Sequence, residues 1–113
     1  MLKANEQISM SGSEIIEVLK EIELIMTSLH KMGSYYAIKY QEGELIQDNS
    51  EYEKETTRFI DEWKVTNRLA KVRGVLSEKF DNTLGKDDMD DLERAMDGLK
   101  YWSKPGDAPP DDI

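Results

Sequence analysis

The chain has 113 residues, 15 Lys and Arg against 24 Asp and Glu, and a formal charge of -9. Its surface field therefore repels phosphate backbones, and nucleic acid is not expected as a general partner. The absence of cysteine excludes disulfides, thiolate metal sites and a thiol nucleophile, while the length and 38% hydrophobic content suit one modest core with no membrane span, a cytoplasmic profile.

Residues 1–10 carry Lys3, Asn5, Glu6 and Gln7 with no long apolar run, and read as a flexible lead-in to a helical domain over residues 11–102. Ser11 and Glu14 have the spacing of a capping box, which starts the first helix. Ile15, Leu19, Ile22, Met26, Leu29, Gly33, Tyr36 and Tyr40 then recur four and three apart, a seam of helical period. Val18, Ile25 and Met32 fall beside it, so the apolar face is wider than a two-stranded coiled coil needs. The spacing predicts a helix to about Glu42, with Gly43 at the turn. The alternative ends it at Gly33 and makes Tyr35 to Tyr40 and Glu44 to Gln47 a small β-hairpin, favoured by the aromatic residues.

Asp48, Asn49 and Ser50 mark a second helix, in which Ser50 and Glu53 repeat the capping-box spacing, continuing to Phe80 or Asn82. Its apolar face is Tyr52, Thr56, Phe59, Ile60 and Trp63 at first, then moves to Val65, Leu69, Val72, Leu76 and Phe80. Gly85 is placed to close it. Asp87 or Asp88 then caps a short third helix with Met89, Leu92, Met96 and Leu99 on one stripe, extended by Trp102. Residues 103–113 hold all three prolines and read as a disordered acidic tail.

These elements define an all-α fold: a long antiparallel helical hairpin plus a short third helix. A helix of about 30 residues spans about 45 Å, against a diameter of roughly 35 Å for a compact globule of this length. Neither partner helix covers so broad a face, so the sequence predicts a homodimeric pairing into a four-helix-bundle-like core. A turn near Leu45 would set Gly33 against Phe59 and Leu29 against Trp63, and Glu14, Glu17 and Glu21 beside Lys71, Arg73 and Lys79. Replacing Ile22 or Leu69 by Asp is expected to unfold such a bundle, and truncation after Ser103 is not.

No motif attaches a reaction to this scaffold. His30 has no carboxylate three residues before it, so the Glu-x-x-His pairs of di-iron bundles are missing. From Asp81 the spacing fails as a calcium loop, because Lys86 stands where the turn glycine belongs. Neither a phosphate-binding glycine loop nor a nucleophile elbow is present, and no cofactor is expected. The reading is a non-enzymatic protein-protein interaction module: an adaptor, a regulator or an acidic inhibitor.

Tyr35, Tyr36, Tyr40, Tyr52, Phe59 and Trp63 gather at the hairpin end in this register, and form the candidate partner-binding surface, since such residues anchor interfaces. Asp87, Asp88, Asp90 and Asp91 are the candidate acidic surface, suited to a basic protein partner. Two other function classes remain. A small-molecule binder or enzyme would use a pocket near Thr66, Asn67 and Arg73, where polarity interrupts the second helix. Nucleic-acid binding would use the basic ridge Arg58, Lys64, Arg68, Lys71, Arg73 and Lys79.

Overall fold

A computed structural model describes residues 1–41 and 49–110. Every regular element among them is a helix: α1 (Lys3–Glu6), α2 (Gly12–Gln41), α3 (Ser50–Glu62), α4 (Val65–Ser77) and α5 (Asp91–Met96). They belong to two compact units, one formed by Ser9–Lys79 and the other by Met1–Ile8 with the chain from Phe80 onward.

In the larger unit, α2 starts on the expected capping box. The Ser11 amide donates to Glu14 Oε1 and the Glu14 amide donates to Ser11 Oγ, each at 3.1 Å, which satisfies two of the orphan N–H groups at the helix start. The helix then continues through Tyr35 and Tyr36 to Gln41. The strand alternative is thereby corrected for residues 35–40: the period begun at Ile15 outweighs aromatic β-propensity. Gly43 and residues 44–47 lie outside the described residues.

The single second helix is also corrected, because it is two helices. Lys64 takes left-handed angles, φ 56° and ψ 44°, and separates α3 from α4. A continuous helix would rotate Val72 roughly 140° away from the face occupied by Phe59, at 3.6 residues per turn. The break resets that phase, so that α3 and α4 both pack against α2. Trp63 donates its amide to the Phe59 carbonyl at 2.9 Å, while its own carbonyl accepts from Arg68 Nε at 2.7 Å. The cap position of α3 falls on Asn49 and not on Ser50, and the Asn49 side chain makes no capping bond.

The helices run antiparallel within a few residues of the expected register. Lys39 meets Glu51, Tyr36 meets Tyr52, Met32 meets Thr56, Glu21 meets Arg68, and Glu14 meets Lys79. Gly33 lies opposite Tyr52 and not Phe59: a Cβ at Gly33 would sit 3.9 Å from Tyr52 Oη. The interior of the unit is Val18, Tyr36 and Phe59, with Ile25 and Met32 half-buried. On α2, Val18, Ile25 and Met32 are the row beside the predicted seam, whereas Tyr36 belongs to the seam's C-terminal end. The seam itself, from Ile15 to Leu29, remains exposed.

In the smaller unit, α1 buries Asn5, which is 5% exposed. Its Nδ2 donates to the Asp81 carbonyl at 2.9 Å and to Asp91 Oδ2 at 2.7 Å, and its Oδ1 accepts from the Asp81 amide at 2.8 Å. The segment expected to be a flexible lead-in thus contributes a bonded side chain. The third helix begins later than expected. Asp90 caps α5 by accepting from the Glu93 amide at 2.7 Å, and the helix ends at Met96, before Gly98 at φ 88°. Leu99 and Trp102 therefore lie beyond it, both exposed. Gly85 closes no helix. A Cβ there would lie 2.7 Å from Arg94 Nη2 and 3.1 Å from Asp87 Oδ1, so its role is the close approach of backbone to an ion pair. In the predicted tail, Asp107 accepts from both the amide and the hydroxyl of Ser103.

Candidate functional site

The aromatic gathering forms between α2 and α3. Tyr35 and Tyr36 meet edge to face with centroids 5.0 Å apart, Tyr36 lies 5.4 Å from Tyr52, and Phe59 lies 5.3 Å from Trp63. Five of the six predicted aromatic residues are thus brought together. The Tyr40 side chain lies outside the described residues. A groove of about 640 Å³ opens here, with Met32, Tyr35, Tyr36, Phe59 and Trp63 among its walls. Tyr35 is 60% exposed and Trp63 44%. Lys39 Nζ bonds both Glu51 oxygens at 2.8 and 2.9 Å, which holds the ammonium pKa above its ordinary value. Burial raises the Tyr36 phenol pKa, and the Glu51 and Glu55 carboxylates add to the rise.

One flank of the hairpin is ionic. Glu21 accepts from Arg68 at 3.1 Å and lies 3.5 Å from Lys71, Glu17 lies 3.3 Å from Lys71, and Glu14 pairs with Lys79. The Lys79 ammonium, with the Ser11 amide, holds the Glu14 pKa below the usual carboxylate range, and the Arg68 guanidinium does the same for Glu21. Arg58 is held between Glu55 and Glu62. The predicted basic ridge is therefore largely matched by carboxylates of α2 and α3, with Arg68 in the place expected for Arg73.

The opposite flank is apolar. At 100° per residue, Ile15, Leu19, Ile22 and Met26 lie on the side of α2 away from Glu14, Glu17 and Glu21, and Leu69 and Leu76 lie on the side of α4 away from Lys71. In an antiparallel pair these two stripes face the same way. Their exposures are 44% at Ile15, 55% at Leu19, 39% at Ile22, 57% at Met26, 50% at Leu69 and 41% at Leu76. Leu29, 40% exposed, and Ile60, 42%, continue the flank toward α3. Sequence periodicity identified these residues but assigned them to the interior.

The remaining predicted sites are dispersed or engaged. Thr66, Asn67 and Arg73 are all exposed on α4, and Thr66 and Arg73 share its outward side. Of the acidic four, Asp91 is buried, accepting from the Leu2 amide at 2.8 Å, from Asn5 and from Arg94 at 2.9 Å. Asp87 accepts from Arg94 at both oxygens, each at 2.8 Å, and the guanidinium depresses its pKa strongly. Asp90 caps α5. Asp88, exposed at φ 59°, belongs to the turn that follows Gly85. These carboxylates organise the smaller unit. His30 is exposed. Among the described residues no group of three His, Asp or Glu side chains is arranged to hold a metal ion, and no helix is long and apolar enough to cross a membrane.

No protein-family model, curated protein or solved structure matches the chain.

Proposed function

We propose that the chain is a non-enzymatic protein-protein interaction module that works as a homodimer, joining the apolar flanks of two hairpins into a four-helix-bundle-like core. The observation that carries this reading is the asymmetry of the hairpin. Its charges are paired along one flank, whereas large aliphatic side chains from Ile15 to Leu29 and at Leu69 and Leu76 meet solvent along the other. Contiguous apolar patches of this kind mark association surfaces, because burying them returns about 25 cal/mol per Å². The groove beside Tyr35 and Trp63 lies among Glu51, Glu55 and Arg58, away from that flank. A dimer therefore leaves it open for a second protein, and the charge of -9 favours a basic one.

Sedimentation velocity tests the reading. The wild-type chain should sediment as a dimer at micromolar concentration, and Ile22→Asp should sediment as a helical monomer. A wild-type chain that stays monomeric would refute it. The pocket near Thr66, Asn67 and Arg73 gains no support from three exposed side chains. The basic ridge gains little from cations already matched by Glu14, Glu17 and Glu21.

A further inference from the structure

Resting on that homodimeric reading, we infer the symmetry of the assembly: two copies face each other about a two-fold axis parallel to the helices, so that α2 of each copy packs on α4 of the other. The occupant of the apolar flank is a second copy, argued first from area. Seven large aliphatic side chains, Ile15, Leu19, Ile22, Met26, Leu29, Leu69 and Leu76, are 39 to 57% exposed. They present roughly 600 Å² per copy before any rim is counted, against about 800 Å² per partner in a standard stable interface. Closed two-fold association buries the same patch on both copies and leaves none to propagate.

Register then selects the axis. The contacts of Glu21 with Arg68 and of Glu17 with Lys71 set Leu69 of α4 level with Leu19 of α2. A rotation about an axis along the helices preserves level, so the α2 stripe of one copy meets the α4 stripe of the other without sliding. The stripes are also unequal. Five exposed aliphatic residues of the flank are on α2, against three on the other arm, Leu69 and Leu76 on α4 and Ile60 on α3. A two-fold axis across the helices would set the crowded stripe against itself and the sparse stripe against itself, giving one overfilled seam and one underfilled. The axis along the helices pairs crowded with sparse twice. Both new seams are then equivalent, each helix has antiparallel neighbours whose dipoles oppose, and both ionic flanks stay in water.

Leu19 and Leu69 point directly at the other copy in this arrangement, and the chain has no cysteine to confuse the assay. Leu19→Cys and Leu69→Cys proteins, mixed and mildly oxidised, should form a covalent dimer on a non-reducing gel. Neither protein alone should do so, and neither should Ile22→Cys, whose two copies lie diagonally across the core. Circular dichroism of each variant checks that the helices persist. Dimers from Ile22→Cys alone, with none from the mixture, would overturn the arrangement while leaving self-association in place. A monomeric wild-type chain, with the flank covered by another segment of the same chain, would remove both. A mixture that stays uncross-linked within a sedimenting dimer would also overturn the arrangement.

Discussion

Lys64 shows how much one residue decides. With a φ of 56° it occupies the left-handed region, which for a side chain with a Cβ costs about 1–2 kcal/mol, and glycine would relieve that. Lys64→Gly should therefore raise the unfolding free energy of the larger unit, read from its urea transition, by up to about 1 kcal/mol after the entropy gained by its unfolded chain. A bulky β-branched Lys64→Val should lower it. A second residue-scale test concerns Asn5, whose amide fills both bonding directions between Asp81 and Asp91. Asn5→Ala should destabilise the smaller unit by about 1–3 kcal/mol, because the part-buried Asp81 amide and carbonyl lose their bonds to it and the buried Asp91 carboxylate loses one of its donors. Amide exchange across residues 81–96 reads this directly. The Asp91 carboxyl is held below its ordinary value of 3.8 by the Asn5 amide, then by the Leu2 N–H. A depressed carboxyl stabilises the fold above its unfolded pKa and ceases to do so as pH falls through the lowered folded value. Exchange protection in this unit should accordingly hold above pH 4 and fade in more acid solution.

At the scale of elements, the hairpin hangs on few buried side chains. Phe59 is 3% exposed, the most deeply buried apolar side chain among the described residues. Phe59→Ala should cost about 3–5 kcal/mol in urea unfolding, which for so small an interior leaves the hairpin marginal or unfolded. Ile22 and Leu69, by contrast, are substantially exposed within one copy, and their replacement by Asp should leave the helices formed. Legibility follows the same physics. The start of α2 was plain from Ser11 and Glu14, since a capping box is a local device with a fixed spacing. Its extent was plain from a sustained period. Which side of α2 faces inward was not, because two adjacent apolar rows compete. The row with Val18, Ile25 and Met32 won, since it carries Glu14 and Glu21 within reach of Lys79 and Arg68. The drift of the second helix's apolar face near Trp63 was visible too. Its meaning, a phase reset at Lys64, requires knowing that both halves must face the same partner.

At the scale of the whole molecule, the aromatic groove was legible because it needs only the antiparallel register, whereas the acidic surface was not. Counting carboxylates cannot tell a solvated aspartate from one that accepts from Asn5 and Arg94. The same distinction separates the two kinds of association proposed, because salt acts on them with opposite sign. Each copy carries -9, so two copies repel, and screening that repulsion while apolar flanks are buried should tighten the homodimer as sodium chloride rises. Binding of a basic protein draws on attraction across the same solvent and should weaken over that range. Dimerisation also links stability to concentration: if folded copies associate and unfolded ones do not, the melting temperature must rise with protein concentration. Differential scanning calorimetry should show that rise for the wild-type chain, more steeply as the dimer tightens in higher salt, and a flat response for Ile22→Asp. A wild-type melting temperature independent of concentration would mean that the exposed flank of α2 and α4 contributes nothing between copies.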